Sequence, residues 1–355
     1  MSRVPRLEPA ALIERLSEGE LIADVSLAGA DLSLYDLSGA VFERVDFSGA
    51  RLHGADLRES VFSQCLFRES VAREVNLKHA IVDQCELVDA SFQKSNLQGV
   101  RLTRCRAERC DLSQCDLTLG AICASSLHEA SFAEAQLTRA VLIDNDVRGV
   151  DFSRALFSLT TMMKAELAGA QFVDTRFDLS IFIGSDFTGV TLAGLSFDAC
   201  QFMDARLGDV DLRGARLTRC NFKGADLRRA RLERCDLRNA LFVEAQLGLA
   251  NFEGATLSQA LFLSADASAA NFSGATLDQA VLTRANCRGA RFVGANLTWA
   301  DLSYATLDAC DFSRATMFRS KLHGVSRDAA VGIDGHAALG DDGPLAEAER
   351  WSPSL

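Results

Sequence analysis

Hydrophobic positions recur every five residues along most of this chain. From Leu27 the series runs Leu27, Leu32, Leu37, Phe42, Phe47, Leu52, Leu57, Phe62, Phe67, and it keeps its register without an insertion to Leu322. Taken back to Ile22, the members that are neither Leu nor Phe are Ile22, Ala72, Val82, Ala107, Ile122, Val147, Met162, Ala267, Cys287 and Met317. Of the 22 Phe in the chain, Phe318 alone lies outside this register. Two residues before each centre a second small or apolar position recurs, as in Ala30, Ala40, Ala50, Cys65, Cys85 and Ala90, and as Ala at every step from Ala240 to Ala305. A spacing of two is strand alternation, whereas a period of five fits neither a helix nor a plain strand. The pattern therefore predicts a three-residue strand segment with both ends inward, followed by a tight turn. Gly recurs at the turn position (Gly29, Gly39, Gly49, Gly54, Gly169, Gly224, Gly274, Gly294), where its freedom at positive φ is useful.

Segments such as GADLS at 29–33, GADLR at 54–58 and 224–228, and GANLT at 294–298 resemble the pentapeptide repeat family, summarised as A(D/N)LXX, over residues 21–325. That resemblance implies an all-β fold: a right-handed quadrilateral parallel β-helix with four repeats per twenty-residue coil. Parallel strands stack about 4.8 Å apart, so about 15 coils are expected. The sequence supports the coil length independently. Phe182, Phe202, Phe222, Phe242 and Phe262 recur at intervals of twenty, as do Phe252, Phe272, Phe292 and Phe312, and each set predicts one internal column.

Three segments are expected: a capping helix within residues 1–20, the β-helix over 21–325, and a flexible acidic tail over 326–355. Residues 9–18 read as a short helix with Pro9 in its first turn and Gly19 beyond its end. Leu12, Ile13 and Leu16 would cover the unpaired edge of the first coil. The tail is rich in Gly and acid, with a helical turn or two expected near Leu345–Trp351.

Composition narrows the chemistry. The chain has 355 residues, 48% hydrophobic and 24% charged, and a formal net charge of −11. That balance argues against disorder and against direct nucleic-acid binding. No apolar run is long enough to span a bilayer and no signal peptide is evident at the start, so a cytoplasmic location is expected. Of the 11 Cys, Cys65, Cys85, Cys105, Cys110, Cys115, Cys200, Cys220, Cys235 and Cys310 fall on the small inward position and Cys287 on a centre, which reads as burial of a small apolar side chain. Cys123 should face outward. His53, His79, His128, His323 and His336 read as solvated surface residues, with no Cys, Ser or Asp at a fixed offset. The Asp and Asn that precede many centres, such as Asp31, Asp56, Asp111 and Asn221, are expected to bond their own turns. No catalytic, cofactor-binding or metal-binding set is identified, and the chain reads as non-enzymatic.

The outer surface is more informative. On the face centred on Leu142, Met162, Phe182, Phe202, Phe222, Phe242, Phe262 and Leu282, eleven of the sixteen outward neighbours are apolar: Val141, Ile143, Met163, Ile181, Ile183, Met203, Leu241, Val243, Leu261, Leu263 and Val281. The opposite face, from Asp151 to Val293, offers only Val173, Ala193 and Val293. β-Branched preference for strands would act on all faces alike, so the asymmetry marks a candidate protein interface. A partner protein, a second copy or the tail helix could occupy it. Trp299, Tyr304 and Phe318 form a candidate dimer patch. Arg213, Arg216, Arg219, Arg228, Arg231, Arg234 and Arg238 form a basic belt.

The resemblance implies two kinds of function. Some members of the family are scaffold or effector proteins, certain of them encoded beside or fused to bacterial secretion-system components. Others are acidic DNA mimics that bind type II topoisomerases. Mimicry needs a continuous negative surface, and the belt breaks it, so a non-enzymatic interaction scaffold is the preferred reading and topoisomerase mimicry the alternative.

Overall fold

The five-residue period becomes a twenty-residue coil because each segment pairs with the one twenty positions away. The computed structural model describes residues 5–351 and contains two units, Met1–Asp186 and Phe187–Leu355. Each is built as a right-handed quadrilateral parallel β-helix. In the first, β1 (Ile22–Ala23), β2 (Val41–Glu43), β3 (Val61–Ser63), β4 (Ile81–Asp83), β5 (Arg101–Thr103), β6 (Ala121–Cys123), β7 (Val141–Ile143) and β9 (Thr161–Met163) line up in one parallel sheet, with Phe42 opposite Phe62 and Phe62 opposite Val82. β8 (Leu156–Ser158) pairs with β10 (Arg176–Asp178) on a neighbouring face. The second unit carries the same parallel register as single bridges, for example Asn221 to Leu241, Leu241 to Leu261 and Leu261 to Val281.

Three hydrogen bonds per repeat hold each coil to the next, one of them from the turn residue, as Gly29 N–H donates to the carbonyl of Ser48 at 2.9 Å. The N–H of a centre donates forward, as Leu27 does to the carbonyl of Asp46 at 2.7 Å, and the preceding residue donates backward, as Asp46 does to Val25 at 3.0 Å. Within most turns the small inward residue donates to its preceding centre, as Ala245 does to Phe242 at 3.1 Å. The centres are buried, and the Phe columns form as expected from Phe202 and from Phe252 onward. Phe202, Phe222, Phe242 and Phe262 stack in series at 5.2, 5.1 and 4.8 Å, and Phe252, Phe272, Phe292 and Phe312 at 4.9, 5.0 and 4.8 Å. Where Val82 follows Phe42 and Phe62 in the first unit, a wholly apolar cavity of about 20 Å³ remains between Phe62, Phe67, Phe92 and Leu102. Without polar partners for a water it stays dry.

Glycine is not what makes the turn. The turn position has positive φ at Gly29 (+67°) and Gly224 (+66°), but also at Leu34 (64°), Leu249 (60°) and Trp299 (62°). A left-handed residue with a Cβ costs roughly 1–2 kcal/mol, and the ladder bonds on either side hold these residues there. Gln and Arg serve as well as Gly because their side chains point to solvent.

A second turn type accounts for several of the polar residues inside. After the strands of the long sheet, the N–H of the small inward residue bonds to a side chain of the next coil. Cys65 donates to Cys85 Sγ at 3.3 Å, Cys105 to Ser125 Oγ at 3.0 Å, Ser125 to Asn145 Oδ1 at 3.0 Å and Ala165 to Ser185 Oγ at 3.2 Å. Asn145 Nδ2 and Ser185 Oγ also donate to a carbonyl one coil back, of Ile122 at 2.8 Å and of Met162 at 3.2 Å, while Ser125 Oγ donates to Cys123 in its own coil at 2.9 Å. These buried groups are therefore satisfied.

Both ends carry more structure than the repeat predicts. α1 (Pro9–Ser17) forms as expected, with Leu12 fully buried, but Ile13 stays 36% exposed and Leu16 is only half-buried. Before it, Arg6 pairs with Ser26 and the N–H of Leu7 donates to Ser26 at 2.9 Å. The expected flexible tail is instead paired to the coils: Val331 bridges Asp311 and Leu339 bridges Lys321, followed by α2 (Gly343–Arg350). The period ends at Leu322, but backbone groups of the last coil still require partners, and the tail supplies them. Residues 1–4 and 352–355 of the expected end segments lie outside the described residues.

Candidate interaction surface

In the first unit, Val141, Ile143, Met163, Ile181 and Ile183 stand outward on the face of the long sheet, each half-buried between neighbours one coil away. The same face begins earlier than the sequence reading placed it, with Val41, Val61 and Ile81 at equivalent outward positions before Arg101 interrupts. Leu119, Leu159 and Leu179 are exposed at the turn that leads onto this face. Every twentieth residue from the stripe reveals Val41 and Ile81. These Leu share the turn position with the recurrent Gly, so they fall outside the strand alternation that marks the stripe.

In the second unit, Leu241, Leu261 and Val281 form one outward row and Val243 and Leu263 the other. Leu263, at 41% exposure, is the most open of them. Met203 is also outward and half-buried. The rows are bounded on one side by Asn221, whose Nδ2 donates to Gln201 Oε1 at 3.1 Å, with Lys223 beside it. They are bounded on the other by Asp301, which pairs with Lys321 at 3.4 Å.

The basic belt resolves into ion pairs on several faces. Arg213 meets Asp211 at 2.7 Å, and Arg219 meets Asp198, Arg228 meets Asp226 and Arg238 meets Asp236, each at 2.6 Å. Arg231 lies 3.7 Å from Asp211 and 3.9 Å from Glu233. Arg216 is flanked by the charges of Asp198 and Asp236, and Arg234 is exposed. The local motif is Asp-Leu-Arg: the carboxylate accepts the backbone N–H two residues on and the guanidinium of that same residue, as Asp226 does with Arg228 at 3.1 and 2.8 Å. The guanidinium holds the Asp226, Asp211 and Asp236 carboxyls below their ordinary range. Asp31 falls to about 2 under the Ser33 side chain and the Arg51 guanidinium. The expected turn-bonding role of Asp is thus present, at Asp111 and Ser113 (3.0 Å) as elsewhere.

The aromatic patch divides in two. Trp299 and Phe318 are about half exposed and edge-on at 6.2 Å, with the Arg319 guanidinium 4.8 Å from the Trp299 ring. Tyr304 faces the tail instead, bonding Glu349 through its hydroxyl. His323, expected to be solvated, is 5% exposed beneath the same segment.

The cysteines at inward positions are buried and Cys123 is half-buried. Burial pushes the Cys110 and Cys220 thiols well up and Cys115 to about 12, so they act as packing groups. Among the described residues no cluster of three or more His, Cys, Asp or Glu could hold a metal ion, and no helix is long and apolar enough to cross a membrane.

Comparison with known proteins places these surfaces in context. The family described as pentapeptide repeats (8 copies) matches residues 26–64, 50–87, 73–106, 85–119, 124–158, 180–219, 280–319 and 295–326, and a related pentapeptide repeat region matches 215–292. The family matches indicate no catalytic class. No curated protein matches. Among solved structures, HetL, involved in heterocyst differentiation regulation in the cyanobacterium Nostoc sp., is 22% identical, with 74% of this chain and 96% of that chain covered and a TM-score of 0.25. A trypsin-treated form of QnrB1, a plasmid-mediated fluoroquinolone resistance protein, is 20% identical, with 61% and 97% covered and a TM-score of 0.42.

Proposed function

The chain belongs to the pentapeptide repeat family, and on that premise we propose that it is a non-enzymatic protein-interaction scaffold working through the outward apolar rows of its coils. The observation that carries this reading is the segregation of apolar side chains onto one face in each unit: Val141, Ile143, Met163, Ile181 and Ile183 in the first, and Leu241, Val243, Leu261 and Leu263 in the second. Interiors are already filled by the Phe and Leu centres, so these side chains have no role in the core. Burying such rows against a partner is worth roughly 25 cal/mol per Å² before the costs of association.

The paired arginines weigh against the alternative of DNA mimicry. A mimic requires unneutralised carboxylates in a row, whereas Asp198, Asp209, Asp211, Asp226 and Asp236 each meet an arginine of this chain. The wider interface and any second copy at Trp299 and Phe318 belong to the same proposal.

The test is a pair of charge-introducing variants, Ile183→Asp and Leu261→Asp. Both side chains point away from the core, so each variant should melt as the wild type does and yet fail to retain protein partners captured from the native host. Full retention by both would leave the rows without a function. Inhibition of type II topoisomerase supercoiling by the wild-type protein would favour mimicry.

A further inference from the structure

We infer that the second unit carries, beside Tyr304 and His323, a docking cleft for a short acidic helix that presents Leu and Glu one turn apart, and that α2 is its resident occupant. The cleft is defined by polar groups and does not depend on the apolar rows being an interface.

α2 starts at a proper cap: the Asp342 side chain accepts the N–H of Leu345 at 3.1 Å. Leu345 and Glu349 are four residues apart and so share one side of the helix. That side faces the coils. Leu345 lines a cleft with Thr283, Ser303 and Leu339, and Glu349 reaches Tyr304 and His323 with its two oxygens.

Recognition at the Glu end is specific in its chemistry. The Tyr304 hydroxyl donates to Glu349 Oε1. His323 Nδ1 accepts the N–H of Asp342 at 3.1 Å, which leaves the ring proton on Nε2, 3.4 Å from Glu349 Oε2. The ring of Tyr304 stands edge-on to His323 at 5.2 Å and the Arg284 guanidinium lies 5.7 Å from the Tyr304 ring centre, so a cation borders the carboxylate site. The N–H of Gly324 donates to Asp341 Oδ1 at 2.9 Å and fixes the segment that leads into the helix. An acidic helix satisfies these donors with a charged acceptor, whereas a helix with an aliphatic or basic side chain at the Glu349 position leaves the buried His323 ring proton without one.

The occupant is held without close packing. The cleft is open to solvent beside it, and Leu345 stays 43% exposed. With Leu345 only partly covered, the bonds from Tyr304 and His323 to Glu349 carry much of the attachment, and a helix of the same pattern can take its place.

The experiment uses the full chain and a fluorescent synthetic peptide of residues 340–355. The double variant Leu345→Asp with Glu349→Ala releases its own helix while leaving Tyr304, His323 and the coil side of the cleft unchanged. Because an occupied site lowers apparent affinity by the fraction that is free, the peptide should bind this variant at least about tenfold more tightly than wild type. Adding Tyr304→Phe should remove most of that gain. Equal binding by wild type and the double variant, or no loss with Tyr304→Phe, would overturn the inference. Hydrogen exchange over residues 343–350 in the full-length protein gives a second reading: it should be slow in wild type and fast in Tyr304→Phe, and equal rates would likewise overturn it.

Discussion

Asn145 Oδ1 accepts the backbone N–H of Ser125, one coil earlier, at 3.0 Å, while Asn145 Nδ2 donates to the carbonyl of Ile122 at 2.8 Å. An amide buried in a column of Ala, Cys and Ser is thus a structural coupling between two coils. Asn145→Ala leaves a buried N–H and a carbonyl unsatisfied, at about 1–3 kcal/mol each. The variant should unfold at a clearly lower denaturant concentration, whereas Asn145→Ser should recover part of the loss. Unchanged unfolding of Asn145→Ala would remove the reason given for polar residues in this column.

Turn strain makes a second prediction, in which two positions two residues apart respond oppositely. Leu249 has φ of 60° and is exposed, so Leu249→Gly relieves strain of roughly 1–2 kcal/mol and adds chain entropy of similar size. Its melting temperature should equal or exceed that of wild type. Leu247 is a fully buried centre, and Leu247→Ala should cost about 2–5 kcal/mol. Calorimetry on the two variants decides it.

Acid should act late. Asp31, Asp89, Asp209 and Asp226 have carboxyls lowered in the folded state, the first to about 2. A group whose folded pKa lies below its unfolded value of 3.8 contributes stability that is present above that value and lost as pH falls through the folded pKa. Thermal stability should therefore be nearly flat from neutral pH down to about 5 and fall between about 4 and 2. Because these pairs are exposed, salt should shrink the effect. A midpoint of loss near pH 6 would point to histidine instead.

The Leu and Phe register and the twenty-residue Phe columns were readable because a solenoid repeats one environment, so every copy reports the same burial. Val41, Val61 and Ile81 obey the same rule, and Leu119 and Leu159 could have been found by reading turns as well as strands. The ordered tail and buried His323 could not, since residues 326–351 follow no period and their partners, Asp311, Lys321 and Tyr304, are contacts between distant positions. The basic belt misled for a related reason: charge counted along the chain conceals that Arg213, Arg228 and Arg238 each meet the Asp two residues before.

The interface is tested most directly by methionine oxidation, because Met162 and Met163 are adjacent in sequence and face opposite ways. Met162 is fully buried, while Met163, and Met203 in the second unit, stand in the outward apolar rows. Peroxide should convert Met163 and Met203 to sulfoxide in the isolated protein and spare Met162. In the assemblies that the protein forms in extracts of its native host, oxidation of Met163 and Met203 should slow several-fold, with Met162 unchanged. Equal rates at Met163 and Met203 in the free and assembled protein would contradict the assignment of these rows as the working surface.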